Sequence, residues 1–316
     1  MSGGPDGRAR IRSWARRALR GLPIAFLGLA ALGLLVRLTV RDRVPVVSVF
    51  YYALPAVVQA ALVIVAGASW GLRRKWRLAA PCAIGAAALL AWWHHGVFYA
   101  NAATPAAGPR IVFWNIARGA MGVDAIVARI RREDPDVIAF AEAARVDNTG
   151  FWARQFPGYC VSNCHGGLIV IARGTISGEQ YKRFDNARCL TVRIETAGLT
   201  FRLAVADVMS NPLQSRGVPL GQLYEFSTAW PDAPLVVVGD FNTPADSVFF
   251  DSWREKMNHG FEQAGQGCFA SWPIPLPVIA IDQVWVGRAL KCGYCRLIST
   301  WLSDHRMVEF NLVPAQ

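Results

Sequence analysis

Three apolar segments crowded into the first hundred residues constrain this chain more than anything else in it. GLPIAFLGLAALGLLVRLTV covers 21–40, VPVVSVFYYALPAVVQAALVIVAGAS covers 44–69, and LAAPCAIGAAALLAWWHHGVFYA covers 78–100. A bilayer core takes about 20 mostly apolar residues per helix. Each segment therefore reads as a membrane span, and residues 21–100 as a three-helix anchor. Arg37 interrupts the first segment near its end, where a long side chain can reach the headgroups. A cleaved signal peptide is the alternative for that segment, but RLTVRDR follows it rather than a small-x-small cleavage site.

Charge orients the anchor. The formal net charge of +11 invites a nucleic-acid reading until it is located: residues 1–77 hold 13 Lys and Arg against 2 Asp and Glu, leaving 20 of each sign in residues 78–316. The arm 1–20 carries Arg8, Arg10, Arg12, Arg16, Arg17 and Arg20, and the loop before the third segment reads GLRRKWR. Basic loops stay in the cytoplasm. The N-terminus and the 70–77 loop are then cytoplasmic, and three crossings deliver the rest of the chain beyond the inner membrane. The expectation is a multi-pass membrane protein with a periplasmic domain. Only Gln59 is polar and well inside a span, which argues against a transporter.

The cysteines are compatible with export. Cys82 lies in a span; Cys160, Cys164, Cys189, Cys268, Cys292 and Cys295 fall beyond it, an even number in a disulfide-permissive compartment. Cys292 and Cys295 have redox or zinc spacing too, but with no second pair and no nearby histidine a structural disulfide is the favoured reading.

After a small, Pro-containing linker at 101–108, residues 109–316 alternate strand and helix patterns. RIVFWN is a strand, GVDAIVARIRRED a helix, and DVIAFAEA a buried strand. Further strands are expected at 167–172, 188–195, 200–208, 234–240, 281–287 and 306–312, with a helix over about 216–229. The result is one mixed α/β domain. Polar residues gather at its strand boundaries: Asn115 closes RIVFWN, Glu142 closes DVIAFAE, Asp240 and Asn242 follow LVVV, Asp282 begins DQVWV, and Asp304-His305 precede RMVEF. Each alone could be a turn former or a helix cap. Together, oxygen donors with one histidine and no cysteine partner suit a hard cation, Mg²⁺ or Mn²⁺, rather than zinc.

FWNI, DPDVIAFAEA, GDFNTP, IDQVWV and SDHRMV occur in the order and wording of the endonuclease/exonuclease/phosphatase superfamily, which residues 109–314 resemble. The resemblance implies a DNase I-like four-layer α/β (α+β) sandwich, two mixed β-sheets flanked by helices, with the site at one edge. It implies roles as well. Glu142 would be the main metal ligand, with Asn115 close by and Asp304 contributing. Asp240 would activate water, and Asn242 would hold both a phosphate oxygen and Asp240. His305 would donate to the phosphate, with Asp282 fixing its tautomer. One departure stands out. The family usually carries a His or Tyr at the end of the strand here written FRLAVADVMSNP, where this chain offers Asp207 or Met209 depending on register. Arg118, Arg173, Arg188 and Arg216 border strand ends and could contact phosphate, although single arginines are more often surface charges.

These features describe a membrane-tethered, extracytoplasmic, metal-dependent phosphoesterase. The substrate is a phosphate ester, on a nucleic acid or a lipid headgroup; no protein partner can be inferred. Only Lys182, Lys256 and Lys291 follow residue 78, so a clustered-lysine DNA surface has no support in composition. The alternative is a non-catalytic binding module on the same fold. The missing His or Tyr favours it, and the intact Glu142, Asp240, Asn242, Asp282, Asp304 and His305 oppose it.

Overall fold

A computed structural model describes residues 5–102, 108–144 and 148–315, with backbone only for 5–19. Residues 103–107 of the expected linker lie outside the described residues. The chain divides into two compact units, Met1–Gly96 and Val97–Gln316.

The first unit holds helices α1 (Pro5–Leu38), α2 (Ser48–Ala53), α3 (Ala56–Gly71) and α4 (Trp76–Val97). Three membrane-length helices are expected from the sequence; among the described residues two are found, Arg20–Leu38 within α1 and Trp76–Val97. The middle segment breaks at Leu54-Pro55, because proline lacks the N–H that would continue the helix and bars its predecessor from the helical region. The remaining 16 residues of α3 span about 24 Å, short of the roughly 30 Å hydrocarbon core. The break leaves carbonyls without helical partners, and one polar residue of α3 and one of α1 serve them. Gln59 Nε2 donates to Leu54 O at 2.8 Å, and Arg37 Nη2 donates to Tyr51 O at 3.1 Å with its guanidinium 4.2 Å from the Tyr51 ring centre. Arg37 is thus tied to α2 rather than extended to headgroups. Gly33 is needed where the helices meet, since a Cβ there would lie 2.9 Å from Leu54 Cβ.

The second unit runs β1 (Phe98–Ala100), β2 (Arg110–Asn115), α5 (Val123–Glu133), β3 (Val137–Ala141), α6 (Thr149–Gln155), β4 (Cys160–Val161), β5 (Ile169–Ala172), β6 (Thr175–Arg183), β7 (Ala187–Thr196) and β8 (Leu199–Val208). It continues with α7 (Gly217–Thr228), β9 (Leu235–Asp240), α8 (Asp251–Lys256), β10 (Met257–His259), α9 (Gly260–Ala264), β11 (Gly265–Cys268), β12 (Asp282–Gly287), β13 (Leu290–Ile298) and β14 (Met307–Pro314). An eight-stranded sheet has the order β1-β11-β13-β14-β2-β3-β5-β4, and a six-stranded one β10-β12-β9-β8-β7-β6. Both are mixed: β2/β3, β11/β13 and β8/β9 are parallel and the other pairs antiparallel.

The burial pattern explains why these strands read as unbroken apolar runs. Ile111 and Phe113 of β2 point into the core between the sheets, with Leu203 and Val238 from the other side. Val112 and Trp114, one residue out of step, pack under α5 and α6 with Ile126 and Trp152. The smaller sheet does the same, with Ala204 and Val237 under Leu220 of α7 and Trp253 of α8. Helix, sheet, sheet, helix make four layers, and a strand covered on both faces has no polar side to show.

No disulfide joins cysteines among the described residues, against the sequence expectation for Cys292 and Cys295. Both are buried on β13, on either side of a bulge that turns both side chains to the same face of the sheet. Their thiols pack in the central core instead, and burial pushes the Cys292 thiol up to about 12.

Candidate active site

The candidate residues meet because of strand direction. β2, β3, β8 and β9 end at one edge of the sandwich, and β12 and β14, antiparallel to their neighbours, begin there. In the smaller sheet the register is tighter still. Arg188 pairs with Asp207, Asp207 with Asp240, and Asp240 with Asp282. Directly paired residues share a face of the sheet, so four adjacent strands contribute one transverse row of three carboxylates and a guanidinium.

The larger sheet supplies the facing groups. Asn115 Nδ2 donates to Asp240 Oδ2 at 2.9 Å and reaches Glu142 Oε1 at 3.4 Å, while its own Oδ1 accepts from Ala117 N. His305 Nδ1 lies 2.8 Å from Asp282 Oδ2, and its Nε2 is 3.7 Å from Asp240 Oδ2. With Asp282 as acceptor, Nδ1 carries the proton. Two serines hold the frame: Ser303 Oγ donates to Asn115 O and accepts from His305 N, and Ser271 Oγ accepts from Ile281 N and Asp282 N. Neither serine stood out in the sequence, where each is one hydroxyl among many; the SDH triplet was the only hint of Ser303.

Backbone strain collects at the same edge. Ala117, Arg118, Glu142 and Asn242 all have positive φ, a conformation with a cost for residues other than glycine. The turn after Asp240 brings Asn242 N to 2.9 Å from Asp240 Oδ1, while the Asn242 side chain donates to Val208 O at 2.7 Å. Asn242 therefore holds Asp240 by its main chain and β8 by its amide.

Electrostatics separate the partners. Asp240 is buried; burial first, then repulsion from Asp282, push its carboxyl well above the usual range, against the pull of His305. For His305, burial opposes the charge, but the Asp282 carboxylate beside Nδ1 prevails and raises the ring to about 10. The imidazole is a cation at neutral pH. Asp207 is also buried and its carboxyl raised, by burial first and against Arg188, whose Nε and Nη2 lie 2.8 and 2.6 Å from Oδ2.

Two groups of candidate ligand atoms lie within 4.8 Å of one another among the described residues: Glu142, Asp207 and Asp240; and Asp240, Asp282 and His305. The first is all carboxylate oxygen, the donor set of a hard divalent cation; in the second, a buried Asp282 oxygen lacks any hydrogen-bond partner. Asp304 belongs to neither group; it is exposed, and its carboxylate accepts from Trp272 Nε1 at 3.1 Å. Of the two residues offered in place of the family His or Tyr, Asp207 stands in the row and Met209 is exposed to solvent. Arg118 Nε is 3.7 Å from Glu142 Oε2 with its side chain 71% exposed. Arg173 is elsewhere: β5 ends at the opposite edge, where Arg173 binds Asp134 at 2.6 Å. Arg216 is buried and donates to Met209 O.

The sequence model of the endonuclease/exonuclease/phosphatase family matches residues 112–305. The chain belongs to that family. Membership makes it a phosphoester hydrolase by class. No curated protein matches in sequence. Among solved structures, a humanized D. rerio TDP2 is 16% identical with a TM-score of 0.55, covering 66% of this chain and 100% of its own. The catalytic domain of human Nocturnin, with a bound sulfate anion, is 17% identical with a TM-score of 0.51, over 68% and 97%. A mannosyl-6-phosphatase of Bacteroides thetaiotaomicron VPI-5482 is 14% identical with a TM-score of 0.50, over 65% and 99%. At such identities these likenesses establish the family's shared fold.

Proposed function

We propose that this protein is a membrane-tethered, divalent-metal-dependent phosphoesterase whose second unit works outside the cytoplasm. The observation that carries the catalytic reading is Asp240, a buried carboxylate gripped on one oxygen by Asn115 and on the other by Asn242 N, with the His305–Asp282 pair beside it. Glu142, with Asn115 and Asp207 beside it, would hold Mg²⁺ or Mn²⁺, which supplies positive charge against an anionic phosphate. Asp240 orients the attacking water and accepts its proton. His305, charged and locked by Asp282, donates from Nε2 to a non-bridging phosphate oxygen. Arg118 and Arg188 stand at the mouth as further phosphate contacts.

The decisive experiment uses the purified full chain and its Asp240→Asn variant on bis-p-nitrophenyl phosphate, with Mg²⁺ and with EDTA. Hydrolysis that needs the metal and vanishes in the variant is the expected result. No hydrolysis with any divalent metal would transfer the fold to the binding-module reading.

Tethering is supported by α1 and α4, both long and apolar enough to cross a bilayer. The outward placement is supported by charge: arginines precede the apolar part of α1 and the RRKWR loop precedes α4, so both starts belong in the cytoplasm. The broken α2–α3 pair would have to make the return. Alkaline phosphatase fused after Gln316 should be active in a bacterial host, and an inactive fusion would put the catalytic unit inside.

A further inference from the structure

The catalytic unit shows its large apolar side chains to solvent on one side only. Among its described residues these are Phe98 and the six rim residues Met121, Met209, Leu213, Val218, Leu276 and Trp301. Met121 lies in the loop leaving β2, Met209 and Leu213 in the loop leaving β8, and Val218 in the first turn of the helix that follows. Leu276 lies between β11 and β12, and Trp301 between β13 and β14. Every one of these connections is at the active edge, because β2, β8, β11 and β13 end there and β12 and β14 begin there. The turns at the opposite edge, 134–136, 173–174, 197–198, 229–234 and 288–289, contribute none. Single exposed hydrophobics are ordinary on any surface; a set confined to the rim of one site is an interaction surface.

The chain's own path identifies the occupant. α4, of membrane length, runs to Val97 and β1 begins at Phe98 without an intervening residue. In the sheet Phe98 pairs with Cys268, the last residue of β11, so the strand that enters this unit starts at the active edge. The edge where the chain arrives is the edge that carries the apolar tips. Long apolar and tryptophan side chains beside an arginine, here Arg118, suit the interface of a phospholipid bilayer.

We propose that this rim seats on a lipid bilayer, so that the site within it takes a phosphate ester borne on a lipid. The substrate half rests on the phosphoesterase reading above; the docking half does not.

The full chain, reconstituted in vesicles of phosphatidylcholine, phosphatidylethanolamine and phosphatidylglycerol, tests both. Brominated acyl chains should quench the wild-type tryptophan emission more than that of Trp301→Phe, the difference being Trp301 in lipid. Equal quenching would overturn the docking, whatever the enzyme does. Combining Leu213→Ser, Leu276→Ser and Trp301→Ser should leave turnover of soluble bis-p-nitrophenyl phosphate within about twofold while slowing the loss of intact vesicle phospholipid about tenfold or more, since each buried apolar side chain is worth on the order of a decade in binding. A wild-type chain that cleaves the soluble ester but no vesicle phospholipid would overturn the lipid substrate. Loss of both activities in the combined variant would also overturn the proposal, by making the rim part of the catalytic frame. A wild-type chain inactive on the soluble ester would instead remove the phosphoesterase reading, leaving the quenching result to decide the docking.

Discussion

The two edges of the catalytic sandwich are made from the two ends of the same strands, yet they are built to different rules. At the opposite edge, charges are matched. Arg173 binds Asp134 and Tyr159, and Arg202 holds both oxygens of Asp232. The left-handed residues there, Asp134 and Ala197, sit in a helix C-cap and a tight Ala197-Gly198 turn, where that conformation is usual. At the active edge three carboxylates face one guanidinium in a row, Glu142 and Asn242 are left-handed beside them, and apolar tips ring the mouth. One edge stabilises the fold. The other sacrifices stability to hold charges ready for a cation and a phosphate, the usual tension between stability and activity.

An active edge that costs the fold stability should yield some back when its central charge is removed. Asp240→Asn should lower hydrolysis by about a thousandfold, the scale of a lost general base. In EDTA the same variant should melt at a higher temperature, because removing a buried carboxyl that faces Asp282 outweighs the one bond, from Asn115 or from Asn242 N, that the amide nitrogen cannot accept. Calorimetry showing a lower melting temperature would refute the strained-edge account.

The converse test lies on the strands between the edges. Glu309 is buried and accepts from Arg110 and Tyr294 on one oxygen and twice from Arg296 on the other. Burial works against its ionisation, but these donors prevail and lower its carboxyl. Glu309→Gln should cost about 3 kcal/mol, as for other broken buried pairs, with hydrolysis per folded molecule unchanged. Because the folded value is the lower one, this stabilisation is present above the ordinary glutamate range and lost as pH falls through the folded value. Chemical denaturation at pH 7 and pH 4 reads the difference, which the variant should not show.

How much of this was legible in sequence follows from what each edge demands. Strands buried on both faces, such as β2, β3 and β9, announced themselves as apolar runs, and the polar residue that ended each one marked the active edge. β6 was missed because it is the exposed outer strand of its sheet and carries TISGEQYKR, with no apolar face to read. β13 was missed because a bulge between Cys292 and Cys295 breaks its alternation. The Leu54-Pro55 break was written in the sequence but outweighed by the apolar residues around it. Within the site, residue identities could be listed from the motifs; the row joining Arg188 to Asp282 could not, since register across four strands is set by packing rather than by any local pattern. The same limit left Asp207 and Met209 unresolved until the sheet aligned one of them with Asp240.

If Arg188 and Asp207 act as a unit, Arg188→Met and Asp207→Asn should each reduce turnover about tenfold, and the double variant little further, a coupling of about 1 kcal/mol or more in a double-mutant cycle. Stability should divide them. Arg188→Met leaves a buried carboxylate unpaired and should lower the melting temperature, whereas Asp207→Asn should not. Additive losses in turnover would mean that the two residues contact the substrate independently.

The smallest effect concerns a group that belongs to neither edge. His259 is buried against the rings of Phe269 and Trp285, each 4.9 Å away between centres, and its Nδ1 accepts from Glu262 N at the start of α9. Burial, with a lesser contribution from Arg254, lowers it from 6.5 to about 3. Glu262 is the facing carboxylate, at 3.9 Å, and does not reverse the shift. A depressed folded value means that the unfolded chain takes up the proton first, so this stabilisation is intact above about pH 6.5 and declines as pH falls toward the folded value. Between pH 7 and pH 5 the loss should be about 2 kcal/mol from this residue alone. His259→Asn keeps an acceptor for the α9 N–H and removes the titration. It should start less stable at pH 7, for want of the ring's packing, and fall less steeply to pH 5. Parallel slopes for the two proteins would assign the acid sensitivity to the carboxylates of the active edge instead.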